Sequence, residues 1–305
     1  MKAISRFSRI VDNLAKKGQY FTDPEHCEAI GNLMIWPENE FPIMDPSIGN
    51  AVGLLSFLGE QKAVTYGVEI DKEIHDNLKQ EEMVDYLLNE DFLEGVQISN
   101  GVFPVIFSNP PYGNVFKERL ETIFLKSMTK YLKRNGILVY IIPYTIIDSD
   151  PNFCNVFANR FHVEAVYKFH ANEFKKYKQV VIIGRKKDNI AESTKAEGNE
   201  LFLMLREIET LEELPFSGIE PFIKIPGAND SSVTYFRTRN VDLEELKSFY
   251  KKGTLLDKIN ILPRNNVDRA VTPPIPPLKG HLNLLSSVGF QHGKVGSIEK
   301  KDLHL

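Results

Sequence analysis

An asparagine followed by two prolines and a tyrosine, Asn109-Pro110-Pro111-Tyr112, comes directly after the apolar run at residues 105–107. Two successive prolines rigidify the backbone and fix the Asn109 side chain and the Pro110 carbonyl. Two such acceptors can bond both hydrogens of an aromatic amine and stabilise the positive charge that develops as its nitrogen attacks a carbon. Tyr112 can stack on the ring and hold it in line. The pattern predicts amine chemistry without a metal or a strong base; the alternative is a plain proline-rich turn.

A turn rich in small residues, at residues 45–51, lies where an open parallel sheet binds ligands, after the first predicted strand. Its small residues let the backbone approach a ligand closely. The chain then enters a helix, whose N-terminus favours a negatively charged group. The candidate contacts in this turn are Asp45, Pro46, Ser47 and Gly49.

Acidic residues follow the next two predicted strands. Glu69 ends the second strand and can accept hydrogen bonds from both hydroxyls of a ribose. After the third strand, Asp91 can bond an adenine amine, and Phe92 can cover the adenine ring. Each signal alone fits an ordinary turn or a solvated strand end. Their order and placement together predict a pocket for an adenosine-containing cofactor.

Short β-rich runs alternate with helical stretches between residues 41 and 187, which is typical of a parallel sheet covered by helices on both faces. Strands are predicted at residues 41–45, 63–69, 84–88, 103–107, 136–142, 161–169 and 179–185. Helices are predicted at residues 51–59, 71–80 and 117–132. The sequence therefore indicates an α/β fold.

A polar stretch at residues 186–198 indicates a linker. We therefore predict a catalytic domain at residues 1–190 and a small α+β domain at residues 191–305. The second domain has strand-like runs at 201–205 and 233–237 and a helical run at 243–251. Because its last residues show no closing element, we expect this region to be cut short. It is the candidate for target recognition or for contact with a partner.

The formal net charge of −4 counts mildly against a general DNA-coating protein but leaves room for a local basic face. Cys27 and Cys154 are the two cysteines, which fits a reducing cytoplasm and argues against a zinc site. The longest apolar run, residues 137–147, is too short to span a bilayer. We therefore expect a cytoplasmic protein without a metal or a membrane partner.

The motifs together resemble those of the DNA adenine-N6 methyltransferases, in which the cofactor motif precedes an Asn-Pro-Pro-Tyr motif. The Gly-Gln-Tyr-Phe-Thr signature of that family matches residues 18–22. Its Asp-Pro-x-x-Gly-x-Gly turn matches Asp45, Pro46 and Gly49, with Ala51 in place of the final glycine. The resemblance covers residues 15–187.

The resemblance implies S-adenosylmethionine as cofactor, DNA as substrate and a Rossmann-like seven-stranded sheet whose last two strands form an antiparallel hairpin. It also implies that Tyr20, Phe21 and Thr22 close over the methionine end of the cofactor. Asn109 would then face both the cofactor and the substrate. A specificity or restriction subunit, as in restriction-modification systems, is a candidate partner.

Aromatic residues and lysines share the segment at residues 170–178, between the strands of the predicted hairpin. In the family that this chain resembles, an aromatic residue of this region sandwiches the flipped-out base against the catalytic tyrosine. Phe174 and Tyr177 are the candidates, and the lysines can meet phosphates. A solvated basic loop with one core aromatic residue explains the segment equally well.

Two other classes of function remain open. An Asn-Pro-Pro-Tyr motif also serves enzymes that act on RNA or on a protein glutamine. A module that keeps the fold and binds nucleic acid or a partner without catalysis would suit Ala51 and the acidic net charge. The segment at residues 18–22 favours DNA, and the intact Asn109–Tyr112 motif favours catalysis.

Overall fold

The computed structural model describes residues 22–115, 118–188, 195–228 and 232–239, together with two short strands nearer the C-terminus. In chain order the strands are β1 (Met34–Ile35), β2 (Phe41–Asp45), β3 (Ala63–Glu69), β4 (Tyr86–Asn89), β5 (Val96–Ile98), β6 (Phe103–Ser108), β7 (Asn114–Val115), β8 (Glu118–Arg119), β9 (Leu132–Pro143), β10 (Phe161–Lys168), β11 (Gln179–Lys186), β12 (Ile223–Lys224), β13 (Phe236–Thr238), β14 (Lys294–Val295) and β15 (Leu303–His304). The helices are α1 (Pro24–Gly31), α2 (Val52–Leu58), α3 (Lys72–Gln80), α4 (Leu120–Met128), α5 (Ile146–Ser149), α6 (Phe153–Ala158), α7 (Ala171–Tyr177) and α8 (Lys195–Arg206).

Seven strands form one sheet in the order β10-β11-β9-β6-β2-β3-β4. The five strands from β9 to β4 are parallel, whereas β11 runs antiparallel to both β9 and β10. The predicted Rossmann-like sheet, with an antiparallel hairpin formed by its last two strands, is therefore confirmed. Because the ends of the parallel strands meet at one edge, residues far apart in the sequence become neighbours there.

Apolar cores lie on both faces of this sheet, which explains why its central strands are apolar without alternation. Helices α4, α6 and α8 contribute to one core, and α1, α2 and α3 contribute to the other. Successive side chains of β9 enter the two cores in turn: Ile137, Val139 and Ile141 on one face, Leu138, Tyr140 and Ile142 on the other.

The apolar run at residues 201–205 is helical, within α8, and our prediction of a strand there was wrong. Leu201 and Leu205 are buried while Leu203 and Met204 are exposed, so burial repeats at the spacing of a helix. Two further segments differ from the predicted elements. The segment at residues 170–178 contains α7, and the predicted helix at 117–132 is shortened to α4, because β8 precedes it and β9 already begins at Leu132.

The described elements between residues 195 and 239 pack against the earlier part of the chain. Contacts group residues 1–241 as one unit and residues 242–305 as another. Three later elements join the first unit: α8 packs on α6, β12 pairs with β1, and β13 pairs with β5. Within the second unit, β14 pairs with β15. The predicted helix at 243–251 lies outside the described residues.

Among the described residues, none of the helices combines the length and the apolar character that a membrane crossing requires.

Candidate functional site

The turn after β2 is held by backbone and side-chain hydrogen bonds at the carboxyl edge of the sheet. The Ser47 backbone N–H donates to Asp45 Oδ1 over 2.9 Å, and the Gly49 N–H donates to Glu69 Oε2 over 2.9 Å. Gly49 has a φ of 55°, the left-handed conformation that glycine adopts without a steric penalty. The turn is therefore fixed from both sides by the two carboxylates that the sequence predicted as cofactor contacts.

Ala51 occupies the position of the second glycine in the resembled motif. It is fully buried and has a φ of 61°, the N-terminal cap of α2. An alanine in this conformation brings its Cβ close to a backbone carbonyl, at a cost of about 1–2 kcal/mol. The structure thus retains the glycine-like backbone at this position despite the alanine.

Glu69 lies at the end of β3 with both carboxylate oxygens engaged. Oε2 accepts from Gly49, as above, and Oε1 accepts from the Asp71 N–H over 2.7 Å. On the neighbouring strand, the Asn89 amide donates to the Glu69 backbone carbonyl over 3.0 Å. These bonds orient the carboxylate, and each oxygen retains a second lone pair for a ligand hydroxyl.

A cavity opens between these strand ends. Its lining includes eleven predicted site residues: Thr22, Asp45, Pro46, Ser47, Gly49, Glu69, Asp91, Phe92, Asn109, Pro110 and Pro111. Phe92 is buried against Phe124, with ring centroids 5.3 Å apart. Tyr112, Phe174 and Tyr177 are not in the lining, and Tyr20 and Phe21 lie outside the described residues.

Glu90 also lines the cavity, although we had not predicted it as a site residue. Its carboxylate accepts a hydrogen bond from the Thr238 hydroxyl of β13. A β-carbon added to Gly95 would stand 2.3 Å from Glu90 Oε2, so the bare backbone at Gly95 leaves room for this carboxylate. Glu90 and Thr238 are 148 positions apart, and no periodic pattern in the sequence indicates a contact over that separation.

Asn109 sits at the carboxyl end of β6, between the cofactor turn and the N-terminal segment. Its amide nitrogen donates to Thr22 Oγ1 over 2.8 Å, and its Oδ1 accepts from the Tyr112 hydroxyl over 2.7 Å. The Ser47 hydroxyl donates to the Asn109 backbone carbonyl over 3.2 Å. The residue predicted to hold the reacting amine is thus bonded to the turn that lines the cavity.

The backbone after Tyr112 is anchored from α4. The Leu120 N–H donates to the Gly113 carbonyl over 2.8 Å, and the buried Glu121 pairs with Arg119. Burial raises the pKa of Glu121, and the Arg119 guanidinium opposes that rise. These contacts hold the segment that follows the two prolines.

Phe174 and Tyr177, the predicted base-stacking residues between the two strands of the hairpin, lie on α7. Phe174 is half-buried and stacks on Tyr144, with ring centroids 5.6 Å apart and an angle of 19° between the rings. Tyr144 follows the end of β9, and its N–H donates to the Lys178 carbonyl over 2.9 Å. The structure therefore brings Phe174 beside a second aromatic residue, which the sequence had not singled out.

A model of the Uncharacterised methyltransferase family (DUF6094) matches residues 3–208. The chain belongs to this methyltransferase family. No curated protein matches it.

Solved structures resemble the methyltransferase at low sequence identity. A proposed class I S-adenosylmethionine-dependent methyltransferase from Listeria monocytogenes is 16% identical, with 62% of this chain and 71% of that chain covered and a TM-score of 0.48. A type I restriction-modification methyltransferase subunit from Streptococcus thermophilus is 16% identical, with 66% and 54% covered and a TM-score of 0.47. The EcoKI M protein, a type I restriction enzyme, is 14% identical, with 59% and 46% covered and a TM-score of 0.41.

The cavity of the methyltransferase is acidic. Four carboxylates line it, Asp45, Glu69, Glu90 and Asp91, and the described lining contains no lysine or arginine. Burial raises the pKa of Asp45 to about 8; the Ser47 N–H opposes the rise, and the nearby Glu69 adds to it. Burial also raises the pKa of Glu69, against hydrogen bonds from Asp71 and Gly49. Asp45 is therefore largely protonated near pH 7, and the negative charge of the other carboxylates favours a cationic ligand and disfavours a pyrophosphate.

Within the described residues, no group of three or more histidine, cysteine, aspartate or glutamate side chains could hold a metal ion.

Proposed function

We propose that this methyltransferase transfers a methyl group from S-adenosylmethionine to the N6 amine of adenine in DNA. The observation that carries the proposal is that Asn109 lines the same cavity as the carboxylates of Glu69, Glu90 and Asp91. S-adenosylmethionine supplies an electrophilic methyl group on a positively charged sulfur. The acidic lining suits that charge, whereas the pyrophosphate of a dinucleotide would be repelled.

Different residues contact different parts of the cofactor. Glu69 accepts the ribose hydroxyls, Asp91 accepts the adenine amine of the cofactor and Phe92 packs against its ring. Asp45, Pro46, Ser47 and Gly49 contact the cofactor through the turn after β2. Thr22, together with Tyr20 and Phe21, completes the site from the N-terminal segment.

Asn109 and the Pro110 carbonyl hold the two hydrogens of the target amine. The methyl carbon forms a bond to the amine nitrogen as its bond to sulfur breaks, and the electron pair of the broken bond stays on sulfur. The nitrogen carries the positive charge until it releases one proton to solvent. The Asn109 Oδ1 dipole stabilises that charge, so its contribution is larger in the transition state than in the ground state.

In this mechanism the target adenine leaves the DNA duplex and enters the site as a flipped-out base. Tyr112 stacks on one face of the base, with Phe174 or Tyr177 on the other. The lysines of α7 lie beside these aromatic residues and meet phosphates. Residues 191–305 contribute target recognition or a contact with a specificity or restriction subunit. A cytoplasmic location, where Cys27 and Cys154 stay reduced, belongs to the same proposal.

The test is transfer of a labelled methyl group from S-adenosylmethionine to mixed-sequence DNA, with RNA and protein extract in parallel, followed by nucleoside analysis. We expect N6-methyladenine from DNA. Asn109→Ala should lower the rate by about 10²- to 10³-fold, the usual loss for one transition-state dipole, with cofactor binding largely retained. Asn199→Ala, an exposed change on α8, is the matched control and should leave the rate unchanged.

Two results would contradict the proposal. Methylation of RNA or protein without methylation of DNA would show that DNA is not the substrate. Loss of cofactor binding in Asn109→Ala would remove the assignment of this side chain to the amine.

A further inference from the structure

A line of hydrogen bonds connects four residues from three parts of the chain. The Gln179 Nε2 donates to the Tyr112 hydroxyl over 2.8 Å, and that hydroxyl donates to Asn109 Oδ1 over 2.7 Å. The Asn109 amide nitrogen then donates to Thr22 Oγ1 over 2.8 Å. Every bond of the line therefore points the same way, from β11 towards the N-terminal segment.

Gln179 is the first residue of β11 and is almost completely buried, with 1% of its surface exposed. The four residues that follow it in the strand are apolar and fully buried. A buried amide at such a position is costly unless it is hydrogen-bonded, and Tyr112 provides a bond. Packing alone would be served by an apolar residue there, so the polarity of Gln179 calls for another explanation.

The direction of the line decides which end of the Asn109 amide faces Tyr112. A tyrosine hydroxyl can donate or accept, whereas an amide N–H₂ can only donate. Gln179 Nε2 donates to the hydroxyl oxygen, and the hydroxyl in turn donates to Asn109 Oδ1, so Asn109 presents its oxygen to Tyr112. If Gln179 accepted instead, the hydroxyl would turn towards it, and Asn109 would present its N–H₂ group.

The far end of the line is held from α1. Thr22 precedes Asp23, the N-terminal cap of α1, which accepts from the His26 ring Nδ1 over 2.7 Å. The other ring nitrogen of His26 accepts from the His170 N–H over 3.0 Å, so Nδ1 is the donor in the bond to Asp23. Thr22 is thereby fixed relative to the hairpin that carries Gln179.

We propose that Gln179 is a positioning residue that sets the orientation of the Asn109 amide through the Tyr112 hydroxyl, so that Asn109 Oδ1 faces the substrate amine. The inference rests on the proposed function for its role in catalysis, but the orientation itself does not. With the amide reversed, its N–H₂ group would meet the hydrogens of the substrate amine, and the acceptor would be lost.

Gln179→Glu is the decisive variant because it keeps the shape of the side chain and replaces the donor by an acceptor. We expect kcat to fall by about 10²- to 10³-fold, as in Asn109→Ala, because the same acceptor is lost, while the cofactor dissociation constant stays within about twofold. Gln179→Met removes the hydrogen bond to Tyr112 without reversing its direction, so kcat should fall less than in Gln179→Glu. In a Tyr112→Phe background, Gln179→Glu should change kcat by less than about twofold, because the hydroxyl that transmits the effect is gone.

A second measurement needs no substrate. The Asn109 side-chain amide signals in a ¹⁵N-correlated spectrum can be assigned by their loss in Asn109→Ala. They should shift strongly in Gln179→Glu and weakly in Gln179→Met. Unchanged Asn109 signals in Gln179→Glu, or an equal loss of kcat with and without the Tyr112 hydroxyl, would overturn the inference. A shift of these signals in a protein that methylates no DNA would support the role of Gln179 and refute the proposed substrate.

Discussion

Asp45 should make the stability of the methyltransferase domain fall as the pH rises, and Asp45→Asn should remove that dependence. Burial raises the pKa of Asp45 from 3.8 to about 8 in the folded chain. Between these two values the folded state holds a proton that the unfolded state releases. The stabilisation is therefore fully present below about pH 4 and is lost as the pH rises towards 8.

The size of the effect follows from the shift. One pKa unit corresponds to about 1.4 kcal/mol, so three pH units between pH 5 and 8 give at most about 4 kcal/mol. Asparagine has the shape of the protonated aspartate and can still accept from the Ser47 N–H. Wild type and Asp45→Asn should have similar free energies of unfolding below about pH 4, and the advantage of the variant should grow by up to about 4 kcal/mol between pH 5 and pH 8.

Urea unfolding at a series of pH values, without ligand, measures this difference. Trp36, the single tryptophan of the chain, provides the signal because it stacks on Phe41 of β2, the strand that ends at Asp45. Glu69 adds a dependence of the same sign in both proteins, so the comparison isolates Asp45. Parallel curves of stability against pH for the two proteins would refute the reasoning.

Two further changes probe the cofactor turn. Glu69→Ala should weaken binding of S-adenosylmethionine by about tenfold or more, because two ribose hydroxyls lose their acceptor. Calorimetric titration measures this affinity. Unchanged affinity would contradict the assignment of Glu69 to the ribose. Gly67→Ala would place a β-carbon 2.6 Å from Ile48 Cδ1 beneath the same turn, so we expect a loss of about 1–3 kcal/mol in the free energy of unfolding together with weaker cofactor binding. Gly227→Ala, which meets nothing within 4 Å, is its control in urea unfolding, and equal effects of the two changes would exclude the steric explanation.

The sheet could be predicted from the sequence because its signals are local. Each central strand is an apolar run, and the runs alternate with helical stretches, so the order along the chain already limits the topology. The apolar run at residues 201–205 lacked such a signal, since a short run fits a strand and a buried helix face equally well. Its helix depends on packing of Leu201 and Leu205 against the core, which only the folded chain supplies.

Some residues of the candidate site could likewise be predicted from the sequence, and others could not. Asp45, Glu69 and Asn109 were predictable because each follows a strand, where a parallel sheet binds its ligands. Gln179 and Glu90 were missed because their contacts join residues 67 and 148 positions apart. Nothing in the periodicity of a sequence records a hydrogen bond of that kind.

The pairing of β13 with β5 has a practical consequence for fragments of this chain. Thr238 bonds Glu90 at the cavity, and β12 pairs with β1 through Ile223, which is fully buried. A protein cut near residue 190 would expose the core that α8 covers and leave the edge of β5 bare, ready to pair with another molecule. The smallest fragment suitable for crystallisation or calorimetry should therefore extend to at least residue 239.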